Sequence, residues 1–487
     1  MAQLTHIQLL NLAGYSSGSS SHSAIYTHVE TDSRKADPQC VFFALPGVAT
    51  NGWDYLDSVI SLGCKVAVVP TGLCLKRDDI ELISVDNPTE LLVACLHSYF
   101  GHMPKHIVAV TGTNGKSSIC YYIAQLAQFI GLNSGLVGTF GIGPLNDLSE
   151  AKQTTPDILS LHLTLMAMAG SGVGLVAFEA SSHALDQGRV DGVPFQTAVF
   201  SNLSRDHLDY HGDMTAYASA KQRLFAFKSV SNSVFCLDDS YAHFMAEAAE
   251  GSNCHYYSEQ NSRADFYVKN LILEPTGCRF ILCHPEGEGV VFLPLLGRFN
   301  VQNALAALAS MWSIADDKSA LVRGLSALRG APGRMDKVQE LNAPLIVVDF
   351  AHTSEALKVA LQALKEHCSG RLICVFGCGG DRDRGKRPLM MAAALQNADY
   401  VWLTSDNPRT ELIEQIFLDA LAQTHDELFS VEPDRRVAIA NAILSATPND
   451  VVLIAGKGHE SYQDIQGIKH HFDDKEEALK AVKSYVN

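Results

Sequence analysis

Lys116 closes a glycine turn, Thr111-Gly-Thr-Asn-Gly-Lys-Ser-Ser118, that follows the apolar run 107–110 and precedes the helix-like stretch 119–129. A strand, a glycine turn and a helix with lysine at the exit form a phosphate cradle. Backbone N–H groups face inward, the helix end carries partial positive charge, and the lysine reaches the outer phosphates. Gly112, Thr113, Asn114, Gly115, Lys116, Ser117 and Ser118 are the nucleotide-binding candidates, with the Ser117 hydroxyl placed for Mg²⁺. The motif is shorter than the usual G-x-x-x-x-G-K-[ST], since Val110 stands where its first glycine would be.

Glu179 ends another apolar run, at the place where open α/β sheets put ligands, and is either an oxygen ligand for Mg²⁺ or a helix-capping acid. Segment 202–211 follows a third run and carries two His, two Asp and an Arg. Lys221 shares an apolar helical stripe with Met214, Tyr217, Leu224 and Phe225 across 214–225. A bare ammonium there is costly, so the side chain either snorkels to solvent, the simpler reading of the stripe, or is paired or modified. Three further polar loops follow strand-like runs: 378–388, 406–409 and 456–460. Arg409 in the second can grip a carboxylate with two parallel hydrogen bonds.

The elements that must position these groups are strands alternating with helices. The first ~100 residues read as a small α/β domain with strands at 41–45 and 65–70, a mobile Ser/Gly-rich loop at 16–23, and a linker at 101–104. Strands at 107–111, 174–179 and 197–202 are near-continuous apolar runs, as in a parallel sheet buried on both faces. Additional strands are expected over 234–293 and a helix over 296–315. The pattern restarts at 330–333, with strands at 345–350, 372–377, 400–404 and 451–455, a second doubly wound unit. The expected fold class is α/β in three domains. These are a small N-terminal α/β domain (1–100), a central parallel-sheet P-loop ATPase domain (101–333) and a C-terminal Rossmann-like domain (334–487).

With 487 residues, 47% hydrophobic and 18% charged, the composition is that of an ordinary globular protein. A net charge of −16 argues against general nucleic-acid or membrane-surface binding, so anionic substrates must meet local Lys/Arg groups and metal. The twelve cysteines contain no C-x-x-C pair and read as reduced thiols in a cytoplasmic protein. Neither a signal peptide nor a run approaching the ~18 apolar residues of a membrane span is visible.

Taken in order, these motifs resemble the Mur ligases, ATP-dependent amide-forming enzymes of bacterial cell-wall precursor synthesis, and among them the members that add the third amino acid. The resemblance runs from Asp32-Ser-Arg34 and 43–47 through 112–116, 154–156, 181–185, 202–211, 220–221, 297–303, 333–335, 349–353 and 379–383 to 406–409 and 456–460. It implies addition of meso-diaminopimelate to UDP-N-acetylmuramoyl-L-alanyl-D-glutamate by way of an acyl phosphate, in a monomer whose domains close around small-molecule substrates. It further implies that ATP and Mg²⁺ are held by Lys116, Ser117, Glu179 and His207, and that Lys221 is carbamylated (N6-carboxylysine) and ligates the metal, against the snorkelling reading.

By the same resemblance, Asn303 would meet the adenine of the nucleotide, and Arg334 and Asp349 its ribose and phosphate side. Ser33, Thr154, Thr155, Ser181, Gln187 and Arg189 would bind the UDP-sugar peptide. Arg382, Asp406, Asn407, Arg409, Gly456 and Glu460 would bind the added amino acid. Asp349 and His352 are the candidates for the base. Diaminopimelate, unlike lysine, carries a second amino-carboxylate end, and Arg409 with Glu460 would supply the cation and the acid it needs. Departures from the family pattern (Ser117-Ser118, Ser354, 178–180, Asn51-Gly52) remove no catalytic group. A lysine-adding ligase and a folylpolyglutamate synthase-like ligase are the neighbouring readings; a decayed binding protein would have lost Lys116, Glu179, His207 or Lys221.

Overall fold

Apolar runs too short for helices and bounded by glycine or polar turns become parallel strands whose residues are buried on both faces. In the computed structural model, which describes residues 3–15, 24–47, 50–151, 153–424 and 428–486, this holds for His106–Thr111, Leu175–Glu179 and Thr197–Phe200. The 16–23 loop lies outside the described residues. The chain divides into two units, one of Met1–Tyr256 with Ala309–Asp317, the other of Tyr257–Leu308 with Lys318–Asn487.

The first unit holds a four-stranded parallel sheet in the order His28–Glu30, Cys40–Phe43, Val66–Pro70, Glu81–Val85. A larger sheet runs Asn232–Cys236, Thr197–Phe200, His106–Thr111, Leu175–Glu179, Ser134–Gly138, parallel throughout, with Gly141–Pro144 antiparallel beside the last. Strand order reverses at His106–Thr111, so the turn leaving that strand opens at the switch point where such sheets bind ligands. The helix expected from residue 119 already begins at Lys116, because Gly115 in the left-handed region (φ 86°) caps it and turns its first N–H groups toward the loop.

Where the N-terminal sheet packs on the helix Ile158–Gly170, His97 Nε2 meets the fully buried His162 Nδ1 at 3.1 Å, and His162 Nε2 meets the Asp191 carbonyl at 3.0 Å. Burial pulls the His162 pKa down to about 4 and lowers that of His97. The unfolded chain therefore takes up a proton on His162 below about pH 6.5 that the folded chain refuses until about 4, so stability falls as pH drops through that window. The loss from this group should total about 3 kcal/mol. Urea unfolding at pH 7 and pH 4 should show a smaller acid loss in His162→Gln than in the unaltered chain.

The second unit has an antiparallel meander, Phe266–Glu274, Gly277–His284 and Gly287–Leu293, and a six-stranded sheet. The order in the latter is Asp336–Val338, Leu345–Asp349, Val451–Ala455, Leu372–Cys378, Tyr400–Ser405, Phe429–Glu432, parallel except for the first strand. Helices Ser354–Lys365, Lys386–Asn397 and Ile413–Leu421 bury one face of the sheet, and Arg435–Leu444 with Asp474–Val486 the other. Arg435, fully buried, pairs with Asp474 at 2.7 Å and donates to the carbonyls of Ser405 and Ala455, the last residues of two strands. That ties together the strand ends from which loops 406–409 and 456–460 leave.

Candidate active site: a phosphate loop and an amino-acid clamp

Gly112 permits the tight turn of the loop. Its φ is 147°, and a Cβ there would lie 1.9 Å from Ser201 Oγ. The end of the Thr197–Phe200 strand pins the loop. Thr113 N donates to Asn202 O (2.8 Å), Asn114 N donates to Asn202 Oδ1 (2.9 Å), and Ser201 Oγ donates to Asn114 O (2.7 Å). Lys116 Nζ folds over the turn onto the carbonyls of Gly112 (2.9 Å) and Thr113 (2.8 Å). Ser118 lies in the first helical turn behind Ser117.

Glu179 is 2% exposed and accepts hydrogen bonds from Ser117 Oγ (2.9 Å), Thr139 N (2.7 Å) and Thr139 Oγ1 (3.2 Å). Burial raises its pKa, opposed by the Lys116 charge and these donors. The Cβ of any residue but glycine at 138 would lie 2.2 Å from Glu179 Oε1. A buried carboxylate with two hydroxyls is a hard, all-oxygen donor set that suits Mg²⁺. Thr139 was not singled out from sequence; its place one residue past the Ser134–Gly138 strand, after a glycine, was the available signal.

Lys221 does not snorkel. It is 1% exposed, its Nζ donates to Gly112 O at 2.7 Å, and it lies 4.5 Å from the centre of the Tyr217 ring. The helix Met214–Gln222 ends one residue later in a 3₁₀ turn, which aims the stem into the protein. Desolvation first, and the Lys116 charge second, hold its pKa well below the ordinary lysine value.

His207 adopts φ 52° and pairs with Asp206 at 3.5 Å. Its ring stacks edge-on against His183 (4.9 Å) and Tyr217 (6.0 Å), and Tyr217 OH reaches Thr113 Oγ1 (3.2 Å), which connects the imidazoles to the phosphate loop. Thr155 Oγ1 donates to Glu179 O (2.9 Å) and meets Ser181 Oγ (3.3 Å). Arg189 donates through Nε to Gln187 Oε1 (2.8 Å) and through a terminal nitrogen to Thr155 O (3.3 Å), and Gln187 Nε2 donates to Tyr210 OH (3.0 Å). Thr155, Ser181, Gln187 and Arg189 are thus one network, with half-buried Thr154 beside it. Ser33 belongs to the other sheet of this unit, in the turn Ser33–Lys35 capped by Asp32.

In the second unit the residues predicted for the added amino acid all lie in loops that leave a strand's carboxyl end. Asn407 Nδ2 donates to Glu460 Oε2 (3.0 Å), and the fully buried Lys457 donates to Asn407 Oδ1 (3.0 Å) and Glu460 Oε2 (3.3 Å). Asp406 Oδ1 accepts from Asn407 N (2.7 Å), and a Cβ at Gly456 would lie 2.6 Å from Asp406 Oδ2. Arg409 holds φ 51°. Its N–H donates to Asp464 O (2.9 Å), its carbonyl accepts from Gln466 N (2.8 Å), and its guanidinium donates to Gly380 O (2.7 Å). Arg382 lies on the exposed part of the 378–388 loop. Lys457 was missed from sequence, although it sits between the two glycines of a recognised loop.

Asp349 accepts from Met335 N and Ala351 N, both at 2.8 Å, and so pins the loop carrying Arg334, whose guanidinium lies 4.7 Å from the Phe350 ring centre. His352 Nδ1 meets Phe350 O at 2.9 Å. Asn303 Nδ2 donates to Asn300 Oδ1 (3.2 Å) within one helix.

Comparison with known proteins agrees in both units. The Mur ligase middle domain matches residues 110–311, and the Mur ligase glutamate ligase domain matches 333–458. The UDP-N-acetylmuramoyl-L-alanyl-D-glutamate–2,6-diaminopimelate ligase of Pseudomonas aeruginosa is 42% identical over 461 residues, covering 93% of this chain and 94% of its own. That of Ectopseudomonas mendocina is 41% identical over 459 residues, with 93% and 94% covered. A solved structure of a ligase of the same name is 37% identical, covers the whole of both chains and superposes with a TM-score of 0.79. With loops 111–118 and 406–409 each inside a matched family domain, and relatives alike over almost the full length, the chain belongs to the Mur ligase family.

Proposed function

We propose that the chain joins meso-diaminopimelate to UDP-N-acetylmuramoyl-L-alanyl-D-glutamate at the cost of ATP, in the cytoplasm. Residues 1–100 serve the uridine nucleotide, 101–333 the ATP, and 334–487 the amino acid. The observation that carries the reading is the clamp of the second unit. There a guanidinium (Arg409) and a carboxylate (Glu460) are held by one hydrogen-bonded set of loops, the pair of charges needed for the distal carboxylate and ammonium of diaminopimelate. Lysine lacks that carboxylate, and folate carries no such amino-acid end.

In the first step a γ-carboxylate oxygen of the substrate's D-glutamate bonds the terminal phosphorus of ATP and the bond to ADP breaks. Lys116, the loop N–H groups and the helix end neutralise the moving charge. Ser117, Glu179 and His207 would hold Mg²⁺, which when bound offsets phosphate charge; the oxygen donors around Glu179 fit it. In the second step the amine nitrogen bonds the acyl carbon, phosphate leaves with the electron pair of the C–O bond, and the ammonium proton is lost. His352 suits the base role better than Asp349. Its Nδ1 is committed to Phe350 O as a donor, which makes Nε2 the basic nitrogen, whereas both Asp349 oxygens serve backbone N–H groups.

Lys221 supports carbamylation. A buried amine whose pKa burial and the Lys116 charge hold well below the ordinary lysine value can, as the free base, attack CO₂, releasing one proton and leaving an anion that balances Lys116. Lys221→Met should keep its fold and lose activity by about 10²-fold or more, a loss the same size as for an oxyanion-type contact.

Phosphate release with ATP, the UDP-sugar dipeptide and either diaminopimelate, lysine or folate tests the whole reading. Release with diaminopimelate alone is the expected result; release without any amino acid, or with folate alone, refutes it. Lys457→Met should raise KM for diaminopimelate about 10-fold or more, with little change in KM for ATP, because Glu460 and Asn407 lose their buried donor.

A further inference from the structure

His28, Asp37 and Cys40 lie in the N-terminal sheet, outside every residue used above. His28 and Cys40 are register partners on adjacent parallel strands, so their side chains stand on the same face. Asp37 precedes Cys40 by three residues, and its backbone N–H donates to Cys40 Sγ at 3.4 Å. The ligand atoms of the three side chains all lie within 4.8 Å of one another, with His28 Nε2 3.5 Å from Asp37 Oδ2. Tetrahedral zinc with Zn–N near 2.0–2.1 Å and Zn–S near 2.3 Å needs donor separations of roughly 3.3–3.8 Å, so the trio is within a small side-chain adjustment of that geometry.

The surroundings match a built site. Thr27 Oγ1 meets His28 Nδ1 at 3.0 Å and fixes the ring with Nε2 toward Asp37, the kind of outer contact that orients a metal-bound imidazole. Cys40 is fully buried and forms the floor, while the His28 and Asp37 side chains, 36% and 46% exposed, form the solvent-facing side of the cluster. An ordinary surface His–Asp pair needs neither a buried sulfur at its base nor an oriented second nitrogen.

We propose that His28, Asp37 and Cys40 bind a borderline-soft divalent cation, Zn²⁺ by donor chemistry, with solvent in the open position. One imidazole, one carboxylate and one thiolate exclude Mg²⁺ and Ca²⁺, which take oxygen. Binding displaces the thiol proton of Cys40 to solvent, so affinity rises with pH. The ion joins both ends of the crossover 31–39, which carries Ser33, and so acts as a clip on that loop. Cys64 Sγ lies 3.6 Å from Cys40 Sγ, and oxidation of the pair by a disulfide or peroxide would take the ligand sulfur away.

The test is titration of the reduced, metal-free full chain with Co²⁺ under excess Mg²⁺. A thiolate-to-cobalt band should saturate at about one equivalent and vanish on adding Zn²⁺. Cys40→Ser should abolish it, His28→Gln and Asp37→Asn should weaken binding at least about 10-fold, and Cys64→Ser should retain it. Absence of the band at millimolar cobalt, its survival in Cys40→Ser (a stray thiol such as Cys74 or Cys254), or indifference to both His28→Gln and Asp37→Asn overturns the proposal. If Cys40→Ser does not fold, the two exposed-residue variants decide.

Discussion

Lys116→Ala is expected to lower ATP-dependent phosphate release by about 10³-fold at saturating substrates while leaving the fold intact. The loss follows from what the ammonium does before any nucleotide arrives. It lies across the loop on Gly112 O and Thr113 O, so it is already positioned where the outer phosphates would enter. Gly112 O accepts a second lysine, Lys221, and after burial the neighbouring Lys116 charge is the second reason that the Lys221 pKa lies well below the ordinary lysine value. Removing Lys116 therefore deletes phosphate neutralisation and also removes the smaller of the two effects that lower the Lys221 pKa. Stability should change by less than about 1 kcal/mol, because Lys221 still donates to the Gly112 carbonyl when Lys116 is gone. Single-turnover phosphate release and urea unfolding on the same preparation separate these effects. Full turnover in the variant would show that the loop is not the phosphate site.

The strand–turn–helix around Lys116 was legible because it is local: a strand, two glycines at positive φ, a lysine and a helix follow directly on one another. Glu179 and the three C-terminal loops were legible as strand-end positions, since parallel sheets put ligands there. What eluded the sequence is long-range. The helical stripe around Lys221 by itself pointed to snorkelling, which the family resemblance reversed; the Gly112 carbonyl that takes the amine inward is 109 residues away. Lys457 eluded it likewise, because its partner Asn407 is 50 residues distant and its charge marks it as a surface residue. Arg435, which no local motif marks, is buried against Asp474, 39 residues away, and holds two strand ends.

Arg409→Ala should raise KM for diaminopimelate by about 10–100-fold and leave the weak use of lysine nearly unchanged, so that the ratio between the two amino acids collapses. The argument rests on how much structure is spent on one side chain. Its backbone sits at φ 51°, unfavourable for a branched-off Cβ, and is kept there by bonds to Asp464 and from Gln466 and by a bridge to Ile465. A Cβ on Gly380 would lie 1.9 Å from Pro408 O, so the loop below also yields to let this segment approach. Strain of that kind is kept when the side chain's direction matters, and the Nη1 donation to Gly380 O sets that direction. Arg409→Lys should recover little, since a point charge cannot make the two parallel bonds a carboxylate accepts. Glu460→Gln should cost a similar factor through the distal ammonium, but with a twist: it also strips Lys457 of its only anionic partner among the named contacts. The double variant Lys457→Met with Glu460→Gln should therefore be less impaired than the two single losses added together, by roughly 1 kcal/mol in a double-mutant cycle on kcat/KM. Strict additivity would separate Lys457 from the clamp, and an Arg409→Ala enzyme that still prefers diaminopimelate undiminished would remove Arg409 from it.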